Sequence, residues 1–376
     1  MTSKSIPLAL LLVAASALAE PVPRPSITQG IDVAPELASA AAAKNCKALR
    51  SATYRVVTPT FGGTASDQTG RMVIDAARLA VVRPDGSRGT WKAQSACRFA
   101  DADDNGTQID IVVSQGGILG GRISVSGGGS YRMLFGFPEQ NHALTELAGT
   151  WSLVGLHRGA DEFYGDTGSI TFDHAGKVTA TSECANYSPW STTNCSQVPA
   201  NAIAALEPFV IDAGGGFVSR SGARTTRLFL FSAANGLPTL VRIDSDGAVA
   251  VGSPAGPFVI PPLGQTAVRW NLDVTSRLAS ATSTYMGITV ITDLDLNRKS
   301  YVRTKRTIGL SDEHLETLLL DNPRPGYITR LRGEAPDGNG RPVGFTEVTS
   351  LQFLGAGFSA SVVPGIKLFE ISIFAP

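Results

Sequence analysis

Charge is scarce in this 376-residue chain. Only 17% of its residues are Asp, Glu, Lys or Arg, and 32 acidic residues balance 32 basic ones. That balance excludes the basic footprint a nucleic-acid partner requires. Cysteine, histidine, methionine and tryptophan occur four times each. Cys46, Cys97, Cys184 and Cys195 show no C-x-x-C spacing and no histidine cluster beside them, so the ligand pattern of a zinc centre is missing. The nucleophile motifs G-x-S-x-G and S-x-x-K do not occur in a plausible setting. The glycine runs at Gly127–Gly129 and Gly214–Gly216 precede strand-like segments rather than helix starts, which argues against a phosphate cradle. What the chain has is apolar content, 43%, enough to exclude wholesale disorder, and 40 glycines.

The first residues read as an export signal over 1–19. Lys4 supplies the positive end, Leu8 to Ala15 the apolar stretch, and Ala17-Leu18-Ala19 the small-x-small cleavage site. No stretch reaches the roughly 20 apolar residues of a transmembrane helix, so the cleaved product is expected to be periplasmic or secreted, with no transmembrane segment. Residues 20–45 form a Pro/Ala-rich leader, and the alanines between Pro35 and Ala48 favour helix. Four cysteines in an exported chain imply two disulfides with three possible connectivities. Sequential pairing, Cys46 with Cys97 and Cys184 with Cys195, is preferred. The second bridge closes a loop of ten intervening residues, a constraint of roughly 3 kcal/mol in the chain-entropy model.

From Tyr54 onward the pattern is that of strands. Val268, Trp270, Leu272 and Val274 alternate with Arg269, Asn271 and Asp273; Ile109, Ile111 and Val113 repeat the period of two. Turn signals punctuate the runs at Pro84-Asp85-Gly86, Asp212-Ala213-Gly214, Asn235-Gly236 and Asp246-Gly247. The expected fold is all-β and mainly antiparallel, in two or three barrel- or sandwich-like units with a few short helices. Breaks at Pro138–Glu146 and in the Pro/Gly linker 253–264 delimit units at 46–138, 147–252 and 265–376. The third unit is expected to carry one helix, with Ser311 as N-cap, Asp312, Glu313 and Glu316 in the first turns, an apolar stripe of Leu315, Leu318 and Leu319, and a stop at Asn322-Pro323. A faint internal repeat places Gly70–Ala77 on Gly168–Ala175, an offset of 98 that also carries Cys97 onto Cys195; Tyr131–Phe135 resembles Thr226–Leu230.

Asp101, Asp103 and Asn105, followed by Gly106, resemble the opening of a calcium loop. The twelfth position is Val112 rather than a bidentate Glu, so an acidic hairpin turn is the competing reading; calcium is the one cofactor considered. Asp293, Asp295 and Asn297 repeat the alternation with Arg298 in place of the glycine. On a strand, Lys299, Tyr301, Arg303 and Lys305 share a face that would hold an anionic ligand or pair with the acidic stretch Asp312 to Glu316. His157 and His174 lie near Asp161 and Asp173 without an identifiable nucleophile. Trp151 and Trp270 read as core, and Trp190 as the most exposed tryptophan.

Leu147-Ala148-Gly149-Thr150-Trp151 resembles the G-x-W start of the lipocalin-like (calycin) barrels. That resemblance implies a barrel closed at one end by Trp151, with a small apolar ligand inside; the arginine that packs on the tryptophan has no assigned counterpart, with Arg227 and Arg242 available. The chain as a whole resembles uncharacterised exported bacterial proteins, which implies an architecture and no activity.

The expected function is therefore a periplasmic or secreted β-rich binding protein. Its partner would be a small molecule in a barrel or an envelope component at a domain junction. The alternatives are a hydrolase of an extracellular polymer using His157, Asp161 and His174, and a structural or adhesion protein of the cell envelope with an exposed apolar patch or sheet edge.

Overall fold

The computed structural model describes residues 46–59, 69–102, 108–124, 131–158, 163–184, 196–233, 238–275, 282–308, 313–336, 341–363 and 368–374. The first sheet comprises β1 (Ala52–Val57), β2 (Thr69–Asp75), β3 (Ala80–Val82), β4 (Arg88–Thr90), β5 (Lys92–Ser95), β6 (Arg98–Ala102), β7 (Gln108–Val113), β8 (Leu119–Ser124) and β9 (Tyr131–Pro138). A 3-10 turn at Leu144–Leu147 leads into the second sheet. That sheet holds β10 (Gly149–Arg158), β11 (Phe163–Phe172), β12 (Val178–Glu183), β13 (Ser196–Gln197), β14 (Val210–Ile211), β15 (Phe217–Ser221), β16 (Arg224–Phe231), β17 (Thr239–Asp244) and β18 (Val249–Pro254), with the short helix α1 (Ala200–Ala204). The third unit comprises β19 (Thr266–Thr275), β20 (Thr282–Asp295), β21 (Ser300–Thr307), β22 (His314–Leu320), β23 (Tyr327–Arg330), β24 (Gly333–Pro336), β25 (Pro342–Phe345), β26 (Val348–Phe353), β27 (Phe358–Val363) and β28 (Leu368–Phe374). The fold is all-β and antiparallel, as the alternation and turn signals imply.

The first two sheets share one topology: β4-β3-β2-β1-β9-β8-β7-β6-β5 and β13-β12-β11-β10-β18-β17-β16-β15-β14. The third unit is a closed barrel, β19-β20-β21-β22-β23-β26-β27-β28, with the ribbon β24-β25 beside it. Gly70–Ala77 and Gly168–Ala175 lie on β2 and β11 and the turns after them, which occupy the same place in the two sheets. The match of Cys97 with Cys195 involves a residue outside the described ones, and the remaining match does not correspond. Tyr131–Phe135 lies on β9 and Thr226–Leu230 on β16, whereas strand order equates β9 with β18 and β7 with β16. Short apolar hairpin strands resemble one another whatever their place in a sheet.

The first sheet curls until its ends meet. Arg83, just after β3, bonds through Nε and Nη2 to both carboxylate oxygens of Asp101 on β6, at 2.9 and 2.8 Å. Cys46, upstream of β1, is bridged to Cys97, upstream of β6, although three strands intervene in the sheet. No cysteine is free among the described residues; Cys195, the expected partner of Cys184, lies outside them, as do the signal sequence and nearly all of the Ala-rich segment.

Alternate residues of the strands serve two cores. In the first unit Tyr54, Val56, Met72, Ile74, Trp91, Phe99, Ile111 and Leu134 fill the concave interior. In the second, Trp151, Leu153, Ile170, Phe172, Phe217, Leu228 and Leu240 do so. The residues between them, including Val57, Phe135, Phe137, Val154, Phe229, Phe231 and Val251, face outward into a joint core with Trp270, Leu272, Leu351, Phe358, Phe369, Ile371 and Ile373 of the barrel. This explains why β9 and β16 are apolar along consecutive positions: both faces are covered. Two glycines permit the close approach. A Cβ on Gly116 would stand 2.5 Å from the Ala356 backbone, and one on Gly120 2.2 Å from the Ile373 side chain.

Tyr327 of the barrel is buried with its hydroxyl in the second sheet. Its Oη accepts from Leu153 N at 3.0 Å and lies 2.8 Å from Leu153 O and 2.6 Å from Gly168 O, one of which takes its proton. Burial holds the phenol well above its ordinary value. Removing this hydroxyl strands buried backbone groups of β10 and β11, so Tyr327→Phe is expected to lower unfolding free energy by about 1–3 kcal/mol. Urea titration measures it; an unchanged midpoint would mean that the seam is not held here.

The expected helix at 311–322 is replaced by strand β22. Ser311 and Asp312 lie outside the described residues, while Glu316, Leu318 and Leu320 point into the barrel and Leu315 is exposed. The spacing of Leu315, Leu318 and Leu319 favours a helix locally, but pairing of β22 with β21 supplies cations for Glu316, and that tertiary gain overrides propensity.

Candidate functional site

The barrel interior is polar over much of its length. Arg269 and Asn271 (β19), Thr289 (β20), Arg303 and Lys305 (β21), Arg330 (β23), Ser350 (β26), Ser361 (β27), and Glu370 and Ser372 (β28) line a cavity of about 40 Å³, little more than room for a water or two. Behind these cations Glu316, fully buried, accepts from Arg303 Nε at 2.7 Å and Arg330 Nη1 at 2.9 Å, with Lys305 Nζ at 3.7 Å and His314 Nε2 at 3.5 Å. Burial pushes its carboxyl up, but Arg303, the His314 hydrogen bond, Lys305 and Arg330 together hold it well below the ordinary value. Arg269 is held down at about 10 by burial and by the charge of Arg303. The other end of the interior is apolar: Ile291, Tyr301, Leu318, Leu320 and Ile328 enclose it, and Phe258 from the Pro/Gly linker packs against them.

The basic face thus divides. Tyr301 and Arg303 are buried and point inward with Lys305, whereas Lys299 precedes β21 and its Nζ lies 3.5 Å from Asp321. The pairing with Glu316 is made strand to strand. Asp101 has both oxygens engaged by Arg83; Asp103 and Asn105 lie outside the described residues. Asp295 accepts from Asn297 N and Arg298 N in the turn after β20. His157 and His174 stand at opposite ends of the β10–β11 hairpin, because His157 pairs with Tyr164 while Phe172 pairs with Gly149, and so they do not converge; Asp161 lies outside the described residues.

Trp151 is buried, with Nε1 donating to Leu147 O at 2.7 Å. The second-unit interior differs from the calycin expectation of an apolar ligand chamber. Its apolar half is filled by its own side chains, and the space at its polar half measures about 30 Å³. Arg242 is engaged by Asp244 at 2.9 Å and Arg227 by Asp212 at 3.5 Å. Trp190 lies outside the described residues.

A roomier cavity lies where the first two sheets meet. About 310 Å³ is bounded by Arg71, Phe137, Glu139 and His142 on one side and by Ile211, Asp212, Ala213, Phe217 and Phe229 on the other. Arg55 Nη2 and Arg71 Nη2 each donate to Gly214 O at 2.7 Å, and both guanidiniums pair with Glu139, at 2.5 and 2.9 Å. Arg55 also stacks on Phe229 at 4.7 Å; burial lowers its pKa, with Glu139 opposing. At the rim, Gln140 bonds to both Ser232 N and Ser232 O, at 2.9 and 3.0 Å. The Gly214–Gly216 run offers the Gly214 carbonyl to the neighbouring sheet. Sequence reasoning missed these residues; the one local signal was the Asp212-Ala213-Gly214 turn.

No family model matches the chain, and no curated protein matches it. Among solved structures it is similar to the isotype 1 transferrin binding protein B from serogroup B Neisseria meningitidis, with 9% identity and a TM-score of 0.26 over 87% of this chain and 76% of that one. A score that low carries no argument. The strand order and the cavities define the class instead: an all-β protein of two matching nine-stranded sheets and an eight-stranded barrel around one joint core. No helix among the described residues is long and apolar enough to cross a membrane.

Proposed function

We propose that this chain is an exported β-rich binding protein that holds a small amphipathic molecule in the cleft between its first two sheets. The carrying observation is the cleft itself. Its volume of about 310 Å³ is at the lower end of ligand pockets, and its walls combine apolar Phe137, Phe217, Phe229 and Ile211 with a few fixed polar groups, Arg71, Glu139 and His142. The Arg55/Arg71–Gly214 and Gln140–Ser232 bonds pre-set the walls, so little ordering is lost on binding. The filled interiors of the second sheet and the barrel support a junction ligand over one inside a barrel. Export rests on the leader and on the Cys46–Cys97 bridge.

Native mass spectrometry of protein from its own host tests the reading. Wild type is expected to retain a small-molecule mass that Ala213→Trp, which fills the cleft from an exposed position, loses while keeping its fold. No retained mass, or one kept by the variant, removes the cleft as the site.

A further inference from the structure

We infer that the polar end of the second sheet is a divalent transition-metal site built from His157, Asp166 and Glu183. The three stand on adjacent strands, β10, β11 and β12, and point into the same concave face, at the end opposite Trp151. Nδ1 of His157 lies 4.0 Å from Asp166 Oδ2 and 3.8 Å from Glu183 Oε1, and one donor atom from each residue falls within 4.8 Å of the others. These separations are too long for hydrogen bonds. Three donors about 2.1 Å from a tetrahedral ion stand roughly 3.4 Å apart, so the two separations from His157 must close by about half an ångström, and the one between the carboxylates by up to about 1.4 Å, to bring all three onto one centre. The space of about 30 Å³ that they share is of that size, and it leaves a fourth position for water or an exogenous ligand.

The surroundings point to a cation. Asp166, Glu183, Asp244 and Asp246 face two guanidiniums, Arg224 and Arg242; Asp244 pairs with both of these, at 2.5 and 2.9 Å, and Asp246 stands 3.6 Å from Arg224. The lining of the pocket itself holds three carboxylates, Asp166, Glu183 and Asp244, against one guanidinium, Arg242. Oδ1 of Asp166 accepts from Cys184 N at 3.3 Å while Oδ2 is the oxygen facing His157. Burial and then the charge of Glu183 push the Asp166 carboxyl up to about 7, and burial followed by Asp166 and Glu183 pushes the Tyr164 phenol up to about 12. One imidazole with two carboxylates suits zinc or manganese over calcium, which favours an all-oxygen shell.

The experiment is calorimetric titration of chelator-treated full-length protein with Zn²⁺ and, separately, Mn²⁺. One equivalent is expected to bind at micromolar or lower Kd. Asp166→Asn, which keeps the shape and removes the charge, and His157→Gln should each weaken binding at least tenfold. His174→Gln, at the far end of the hairpin, should leave it unchanged. Circular dichroism and the apo-protein melting temperature establish that the variants fold. Absence of saturable binding by folded wild type, or full retention of it in both site variants, overturns the site.

Discussion

Replacing Glu316 by alanine should destabilise the protein by about 3–5 kcal/mol, the loss characteristic of breaking a buried ion pair and leaving its partners uncompensated. The side chain is fully buried in the barrel, with Arg303 and Arg330 on its oxygens and Lys305 and His314 near by. Its loss leaves three permanent cations, together with Arg269, facing one another around a space of about 40 Å³. The same group gives stability an acid dependence. Its folded pKa lies well below the ordinary 4.5, so the unfolded chain binds more protons between those values. The contribution is fully present above the ordinary carboxylate range and is lost as pH falls through the depressed folded value. Urea midpoints at neutral pH and across the acid range, compared for wild type and Glu316→Gln, measure both effects. A wild-type-like midpoint for Glu316→Ala would show that water already screens the cluster.

Loss of the Cys46–Cys97 bridge should cost about as much. The cysteines are 51 residues apart, and the chain-entropy model assigns a loop of that length about 4 kcal/mol. The bridge also fastens the segment before β1 across the concave face to the β5–β6 turn, and both cysteines lie against the first-unit core. The double variant Cys46→Ser/Cys97→Ser is the cleaner comparison, since a reductant would also reach Cys184. Its unfolding midpoint should fall with the m-value rising modestly, because the unfolded chain is freed to expand. An unchanged midpoint would mean that the Arg83–Asp101 closure holds the curl of the sheet unaided.

The candidate sites were unevenly legible. Tyr301, Arg303 and Lys305 share a face because β21 is a strand, and period-two spacing reveals that much. Lys299 departs because it precedes the strand, with a positive φ of 48° in the turn. Arg55 and Arg71 meet Gly214 across 159 and 143 residues of sequence, a distance over which no local pattern operates. Proximity in the chain sets His157 beside Asp161, whereas hairpin register brings it to Asp166 and Glu183. The helix expected around Leu315 failed for a related reason: local spacing of three leucines cannot register that Arg303 and Arg330 wait on neighbouring strands.

Alternation in the sequence by itself determined that Trp270 and Leu272 face one way and Arg269 and Asn271 the other, and so that the third unit is built of strands. It did not determine which face is inside. An antiparallel strand with one polar and one apolar face satisfies its backbone equally well with either face turned inward. Only the tertiary structure decided: the first two sheets bring Phe135, Phe137, Val154 and Phe229 against the outside of the barrel, and burying Trp270, Leu272, Phe369 and Ile371 there leaves the charged residues to the interior. The physical reason is that apolar burial follows whatever surface is offered, and the surface on offer belongs to other parts of the chain.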